Sequence, residues 1–447
     1  MQFVIGIQIS FMSSNSFIRN TLIIGSFSLL LTPVAVSSVW IEANDVELRN
    51  SLTVLAESGL IKTPIQQFPV TWKSLLPELD ALEIKELSTT QQLALRHVRH
   101  QLSQAQTGPK TRWYIGATDS EQVVQDYGDD IYEEGKISLS RSLHGTNWAA
   151  RIQVNYRQDP FEGDHKKTLD GSYLAYNLND WSFSLDSLPL RWGPAEHSSL
   201  LFSNNARPMP KIRIDYAPDY PPAGMNPFKI SLFSAYQDDG YSDYYQVNGI
   251  RFSSQLFQHL WFGISAIEQS ADNRPDNRML TADARTGFDW GAHQFSAYAE
   301  LGIDRKLETD DKPAYTLGAQ WMTGSTERRH SVTVEYSQLD GGTEHDFYSL
   351  DENQKQYFLH HQRNPGSPFP RQSQTVSTSY RQFSADGSAW TALLSHSKKK
   401  NDETLSRALL RRTEPAFSGL IKLSLQYIDS SSYDNEVGIQ ISGEWRF

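Results

Sequence analysis

From about residue 110 to the C-terminus, apolar and polar positions take turns along the chain. The clearest run is the last. Val437, Ile439, Ile441, Gly443, Trp445 and Phe447 share one side of an extended strand, and Glu436, Gly438, Gln440, Ser442, Glu444 and Arg446 share the other. A period of two predicts strands with one apolar and one polar face. Trp148, Ala150, Ile152, Val154 and Tyr156 keep the same rhythm, as do Val332, Val334 and Tyr336, and Ile421, Leu423, Leu425 and Tyr427. Stretches rich in Gly, Asp, Asn, Ser and Pro separate such runs. Together they place strands starting near 112, 136, 147, 171, 180, 210, 228, 245, 259, 282, 292, 313, 330, 374, 389, 404, 418 and 436. That is about eighteen, an even number in the range of bacterial barrels.

The connections sort by length. Short ones fall at 144–146, 179–180, 254–258, 291–292 and 384–388; long ones at 119–134, 157–170, 189–209, 269–281, 302–312 and 339–373. With an even count, the short turns lie at one end and these long loops at the other, which is the rule for transmembrane barrels. A sandwich gives no reason for it. Pro218 to Pro227 is the exception, a long connection on the short-turn side. The segment Tyr348 to His361 reads as a loop element, because a further strand there breaks the parity.

Residues 39–109 follow a helical period instead. Asn44 with Glu47 forms a capping box before Leu48, Leu52 and Leu55, and Gly59 fits the stop. Thr71 opens a second helix with Trp72, Leu75, Leu76 and Leu79, which Pro77 shortens or kinks. Ser88 with Gln91 caps a third carrying Leu95, Val98 and Leu102, and Gly108-Pro109 ends it. Three short helices bury a small core, so they are expected to pack on something larger. His97 and His100 stand three apart on the last helix. They could hold a metal, but a solvated helix face is the plainer reading.

Arg19, the apolar run Thr21 to Leu31 and the small residues up to Ser38 predict a secretory signal over 1–38, cleaved near Ser37 or Ser38, with Met12 as an alternative start. The run is shorter than the ~20 residues a spanning helix needs. Composition agrees with a barrel whose inner face is polar: mean hydropathy is −0.51, while aromatics reach 12%, enough for two interfacial belts. The absence of Cys excludes thiolate metal sites and Cys nucleophiles, and the net charge of −11 argues against nucleic acid as a partner. No cofactor is expected. The fold class is thus an all-β transmembrane barrel of about eighteen antiparallel strands over 110–447, with a small periplasmic helical bundle over 39–109. Its expected partners are outer-membrane lipids and the outer-membrane assembly machinery; closing strands that end in Phe, as this one does, resemble those of bacterial outer-membrane barrels.

One stretch carries a specific resemblance. Leu190-Arg191-Trp192-Gly193-Pro194, followed by Ser199 to Phe202 and then Ser203-Asn204-Asn205-Ala206-Arg207-Pro208-Met209-Pro210, resembles the Wzi capsule-assembly family. Leu55 to Gly59 and Pro69-Val70-Thr71-Trp72 look like that family too. The resemblance implies an outer-membrane barrel that is lectin-like rather than an enzyme, binding capsular polysaccharide or exopolysaccharide and helping to organise the capsule.

Two readings of the motif stay open. Trp192 offers a flat face for a sugar ring, and Asn204, Asn205 and Arg207 offer donors and acceptors for hydroxyls and carboxylates. Alternatively the loop folds into the lumen, where Asn and Arg satisfy buried backbone groups; this is the plainer reading. Lys398, Lys399 and Lys400, with Lys166, Lys167, Arg274, Arg278, Arg363 and Arg371, place cations on outer loops that could attract an acidic glycan. A solvated charged loop explains any one lysine as well, since Asp402 and Glu403 stand beside them. Rival functions are a porin or substrate channel and, further off, an outer-membrane hydrolase; neither G-x-S-x-G nor H-E-x-x-H occurs.

Overall fold

A computed structural model describes residues 40–107, 110–119, 131–160, 164–219, 221–240, 244–271, 276–304, 313–339, 347–348, 358–432 and 434–447. The expected signal peptide, Arg274 and the stretches 340–346 and 349–357 of the 339–373 loop lie outside the described residues.

The alternating segments form one closed antiparallel barrel. Its strands are β1 (Lys110–Thr118), β2 (Gly135–His144), β3 (Trp148–Gln158), β4 (Lys167–Thr168 and Tyr173–Leu178), β5 (Trp181–Asp186), β6 (Lys211–Tyr216), β7 (Phe228–Asp238), β8 (Tyr244–Phe257), β9 (Leu260–Ser270), β10 (Asn277–Trp290), β11 (His293–Asp304), β12 (Ala314–Gly324), β13 (Arg328–Gln338), β14 (Ser373–Ser384), β15 (Ala389–Lys399), β16 (Thr404–Ala416), β17 (Gly419–Ser430) and β18 (Glu436–Arg446). Both pieces of β4 pair with β3, so they are one interrupted strand and the count is eighteen. Closure is direct. β18 pairs with β1 from Gln440↔Thr118 to Arg446↔Arg112, and Phe447 and Thr111 exchange two backbone bonds of 2.9 Å.

The alternation sorts by side of the wall. On β3, Ile152, Val154 and Tyr156 face outward while Arg151, Gln153, Asn155 and Arg157 are buried inside. On β18, Val437, Ile439 and Ile441 face outward, with Gln440 and Ser442 within. This arrangement keeps every mid-strand backbone group paired and meets lipid with apolar side chains. The girdles differ in kind. Toward the long loops stand Tyr156, Tyr236, Tyr336 and Tyr427, each eight residues past the first residue of its strand. Toward the short turns stand Trp113, Trp181, Trp390 and Trp445, with Phe228 and Phe252 ring to ring at 5.8 Å. Such belts suit the two membrane–water boundaries.

The helices are α1 (Val46–Glu57), α2 (Trp72–Asp80) and α3 (Thr89–Gln106). The cap of α1 is Asp45 rather than Asn44: its carboxylate accepts from the Leu48 N–H at 2.9 Å. Ser88 and Gln91 form the expected reciprocal box. Pro77 lies inside α2, three residues before its end. Leu52, Leu55, Leu75, Leu79, Leu95 and Val98 share a core with Trp261 and Met322 of the barrel wall, so the wall is the larger body that the small bundle needed. The bundle sits at the short-turn mouth. Thr89 donates to Gly324 O at 3.1 Å, Gln91 to Asp289 at 3.0 Å and Lys73 to Asn179 O at 2.6 Å. The long connection after β6 lies at this mouth too, where Asp219 pairs with Lys73 at 3.4 Å.

His97 departs from the solvated face expected of it. It packs on Phe383 of β14 at 4.6 Å between ring centroids and lies 2.9 Å from the Ser51 hydroxyl. Burial, with Arg329 nearby, pushes its imidazole down to about 4, against the pull of Asp45. Among the described residues no group of His and carboxylates could hold a metal ion, and no helix is long and apolar enough to cross a membrane.

Candidate functional site

After β5 the chain leaves the wall at the long-loop end and turns into the lumen. Asp186 caps the departure: its carboxylate accepts from the Leu188 N–H at 3.1 Å and pairs with Lys211 at 2.9 Å and Arg213 at 3.0 Å. The chain then descends to the helical segment and joins it. Arg191 and Trp192 pair antiparallel with Phe68 and Gln67, and the Gly193 N–H donates to Gln66 O at 3.0 Å. Trp192-Gly193-Pro194 is the turn at the bottom of this descent. Gly193 holds φ +129°, and an added Cβ would lie 2.6 Å from the Glu300 carboxylate, so two constraints demand glycine.

A charged centre follows the turn. The Glu196 carboxylate receives Arg49 of α1, with Arg381 of β14 at 3.3 Å and Arg285 of β10 at 3.6 Å. Its backbone is fixed from the opposite side. Glu335 of β13 accepts the N–H groups of Glu196 and His197, and the Tyr298 hydroxyl at 2.7 Å. All these groups are buried, where a carboxylate needs partners of this number. Arg285 also binds Glu57 of α1 at 2.5 Å. From here the chain climbs. Leu200 N–H donates to Glu300 at 3.1 Å, Phe202 bridges back to Trp192, and Ser203 N–H donates to Pro365 O at 2.7 Å.

At the rim, Tyr132 of the β1–β2 loop donates its hydroxyl to Asn204 O at 2.7 Å. Asn205 Nδ2 donates to Asn364 O at 3.0 Å. Arg207 binds Asp164 in the β3–β4 connection, and Asp170 in the break of β4 at 2.8 Å. Burial would raise the Asp164 carboxyl, but Arg207 and Arg157 together hold it below its ordinary value. Met209 and Pro210 then lead into β6. Residues 187–210 thus form a strap that runs from rim to helical segment and back.

This placement corrects the glycan reading of the motif. Trp192 is 0% exposed, walled edge-on by Phe202 at 5.2 Å and Phe233 at 5.3 Å, so it offers no face to a sugar ring. Asn204 and Asn205 are buried, and Arg207, 9% exposed, spends its guanidinium on two carboxylates. The structure brings these four together as strap, the plainer of the two expectations. It keeps Lys398, Lys399 and Lys400 apart from them, at the outer end of β15 and in its turn. Lys398 pairs with Asp402 at 2.8 Å in the open, and Lys399 with Glu403 at 2.7 Å, half-exposed. Lys400 donates its backbone N–H to Gln372 O at 3.0 Å. Sequence reasoning missed Glu196, Arg49, Arg285, Glu335 and Arg381. For Arg285, Glu335 and Arg381 the available signal was a single charge on an inward-facing strand position.

Against known proteins, the family model for capsule assembly protein Wzi matches residues 104–271, which take in the strap and its motif. The solved structure of Wzi, an outer membrane protein involved in group 1 capsule assembly in Escherichia coli and described as a carbohydrate-binding β-barrel, superposes with a TM-score of 0.80. The match covers 91% of this chain and 99% of that one at 18% identity. The fold is thus that of Wzi, and residues 104–271 are similar to the Wzi family. A 55.8 kDa protein from the cps region of Klebsiella pneumoniae is 24% identical over 314 residues. That alignment covers 64% of this chain and 61% of the Klebsiella protein. The apolar outer face of the barrel is the kind that meets the hydrocarbon of a bilayer.

Proposed function

We propose that the chain binds a capsular or exocellular polysaccharide at the cell surface and helps hold the capsule there, without catalysing a reaction. The observation that carries this reading is the filled lumen of a Wzi-type barrel. The strap and α1 meet at Glu196 inside the wall, with Arg285 and Arg381 from facing strands on the same carboxylate. A channel needs a bore, and this bore holds protein. What remains for a ligand is the rim. The even strand count puts both termini on one side, and short turns on that side support a periplasmic helical segment with the long loops outside. Among the sequence candidates, Lys398, Lys399 and Lys400 are the proposed glycan contacts, because an acidic chain can replace or bridge their exposed carboxylate partners. Trp192, Asn204, Asn205 and Arg207 hold the rim in shape from beneath.

The test is capsule retention on cells together with binding of purified capsular polysaccharide to the purified protein. Replacing Lys398, Lys399 and Lys400 together by Ala should weaken both at normal protein level. Unchanged retention and binding would remove these lysines from the reading. Single-channel steps in planar bilayers by the native protein would favour a porin instead, and turnover of ester or peptide substrates would favour a hydrolase.

A further inference from the structure

The strap touches both faces of the membrane protein. At the rim, Arg207 is held by Asp164 and Asp170, and Asn204 O by Tyr132. At the bottom, Arg191-Trp192 is hydrogen-bonded as a strand to Gln67-Phe68, and Glu196 is ion-paired to Arg49 of α1. Between these ends the strap is tied to the wall at Glu300 and Glu335 and is buried from Leu190 to Phe202. A buried, close-packed segment does not deform gradually; it shifts between discrete arrangements and carries its neighbours with it. Among the described residues, no backbone strand pairing joins the helical segment to the wall. Its ties are side-chain ones, such as Arg285–Glu57, Arg329–Ser51 at 2.8 Å and Thr89–Gly324.

We infer that the strap is a mechanical link through the barrel: a change at the Arg207 rim alters how firmly α1 is seated at the periplasmic mouth, with Glu196 as the joint. The inference rests on the reading that a glycan is met at the rim, since that would supply the natural input. A surface protein built in this way reports occupancy outside to the periplasm without opening a pore. The rim end is held by ions, so a polyanionic glycan bound at the rim that disturbs the pairs of Arg207 with Asp164 and Asp170 would act on the strap. Glu196 has Arg49 on the helical side and Arg285 and Arg381 on the wall side, so any shift of the strap is divided between helix and wall.

The chain has no cysteine, so a single introduced thiol reports alone. Ala56→Cys places it on the buried side of α1, where labelling requires the helix to lift. In purified full-length protein, adding Arg207→Ala should raise the labelling rate by about fivefold, the low end of a coupling between distant sites. Arg278→Ala also breaks an outer-end ion pair, with Glu268 off the strap, and should leave the rate unchanged. With Glu196→Gln already present, Arg207→Ala should add nothing. Arg49→Gln takes that place where Glu196→Gln does not accumulate. Equal labelling with and without Arg207→Ala, or independent multiplying effects of the rim and joint variants, would overturn the link. A second arm adds purified capsular polysaccharide to the Ala56→Cys protein. Bound glycan with an unchanged labelling rate also counts against the link. If no glycan binds, the proposed function fails, and the rim-variant arm still decides the link.

Discussion

The strap and the lysine turn of β15 were both candidate glycan contacts, and the protein treats them in opposite ways. The strap holds a planar aromatic, two amides and a guanidinium, a set suited to sugars, yet all are buried and engaged within the chain. The lysine turn holds three cations, of which Lys398 pairs with Asp402 in the open and Lys399 with Glu403 half-exposed. A long, specific motif marked the interior, because interior geometry constrains each residue: Gly193 by its φ and by Glu300, Trp192 by Phe202 and Phe233. Surface contacts with a polymer impose no comparable spacing. In this chain the most recognisable sequence reports architecture, and the ligand surface is to be sought where the sequence is least distinctive.

The sharpest way to break this comparison is at Trp192. Trp192→Ala empties a fully enclosed site and should cost about 3–5 kcal/mol of stability, read as a lower heat-unfolding midpoint of the purified barrel. Arg207→Ala comes next. It leaves Asp170 without its partner while Asp164 keeps Arg157 at 2.5 Å, and should cost about 2–3 kcal/mol in the same assay. An unchanged midpoint in either variant would return these residues to the surface.

A third prediction concerns pH at the helical segment. The His97 imidazole is held down to about 4 by burial and Arg329, below its ordinary value. As pH falls below the unfolded value, the unfolded chain takes a proton that the folded site refuses. Stability is therefore full above that value and declines down to about pH 4, with a loss of about 2 kcal/mol at pH 5. Protease cutting within α3 should increase from pH 7 to pH 5 in the native protein. It should increase less in His97→Asn, and equal pH dependence in both would refute the assignment. The smallest effect is expected at the lysines: Lys398→Ala should leave the unfolding midpoint unchanged, because an exposed pair contributes little, while capsule retention falls.

The barrel was legible in the sequence because lipid outside and polar groups inside force a period of two on every strand. Nearly all eighteen strand starts fall within two or three residues of the predicted positions; β10, expected near 282, begins at Asn277. It starts early because its outer end, Asn277 to Thr281, is mostly polar and resembles the loop before it. The helices were legible by their caps, although Asp45 rather than its neighbour closes the first turn. The site was legible only in part. Nothing local distinguishes a loop that folds inward from one that reaches out, since both carry Asn, Arg and Pro. The Glu196 centre joins residues 49, 285 and 381, and no local pattern links positions so far apart.

The most direct test is a binding isotherm of purified capsular polysaccharide on two folded variants, Trp192→Ala and the combined Lys398→Ala, Lys399→Ala and Lys400→Ala protein. The account predicts that the tryptophan variant binds nearly as the native protein does despite its lowered unfolding midpoint, while the lysine variant binds more weakly at an unchanged midpoint. Loss of binding in Trp192→Ala at a native midpoint, with native binding in the lysine variant, would contradict it.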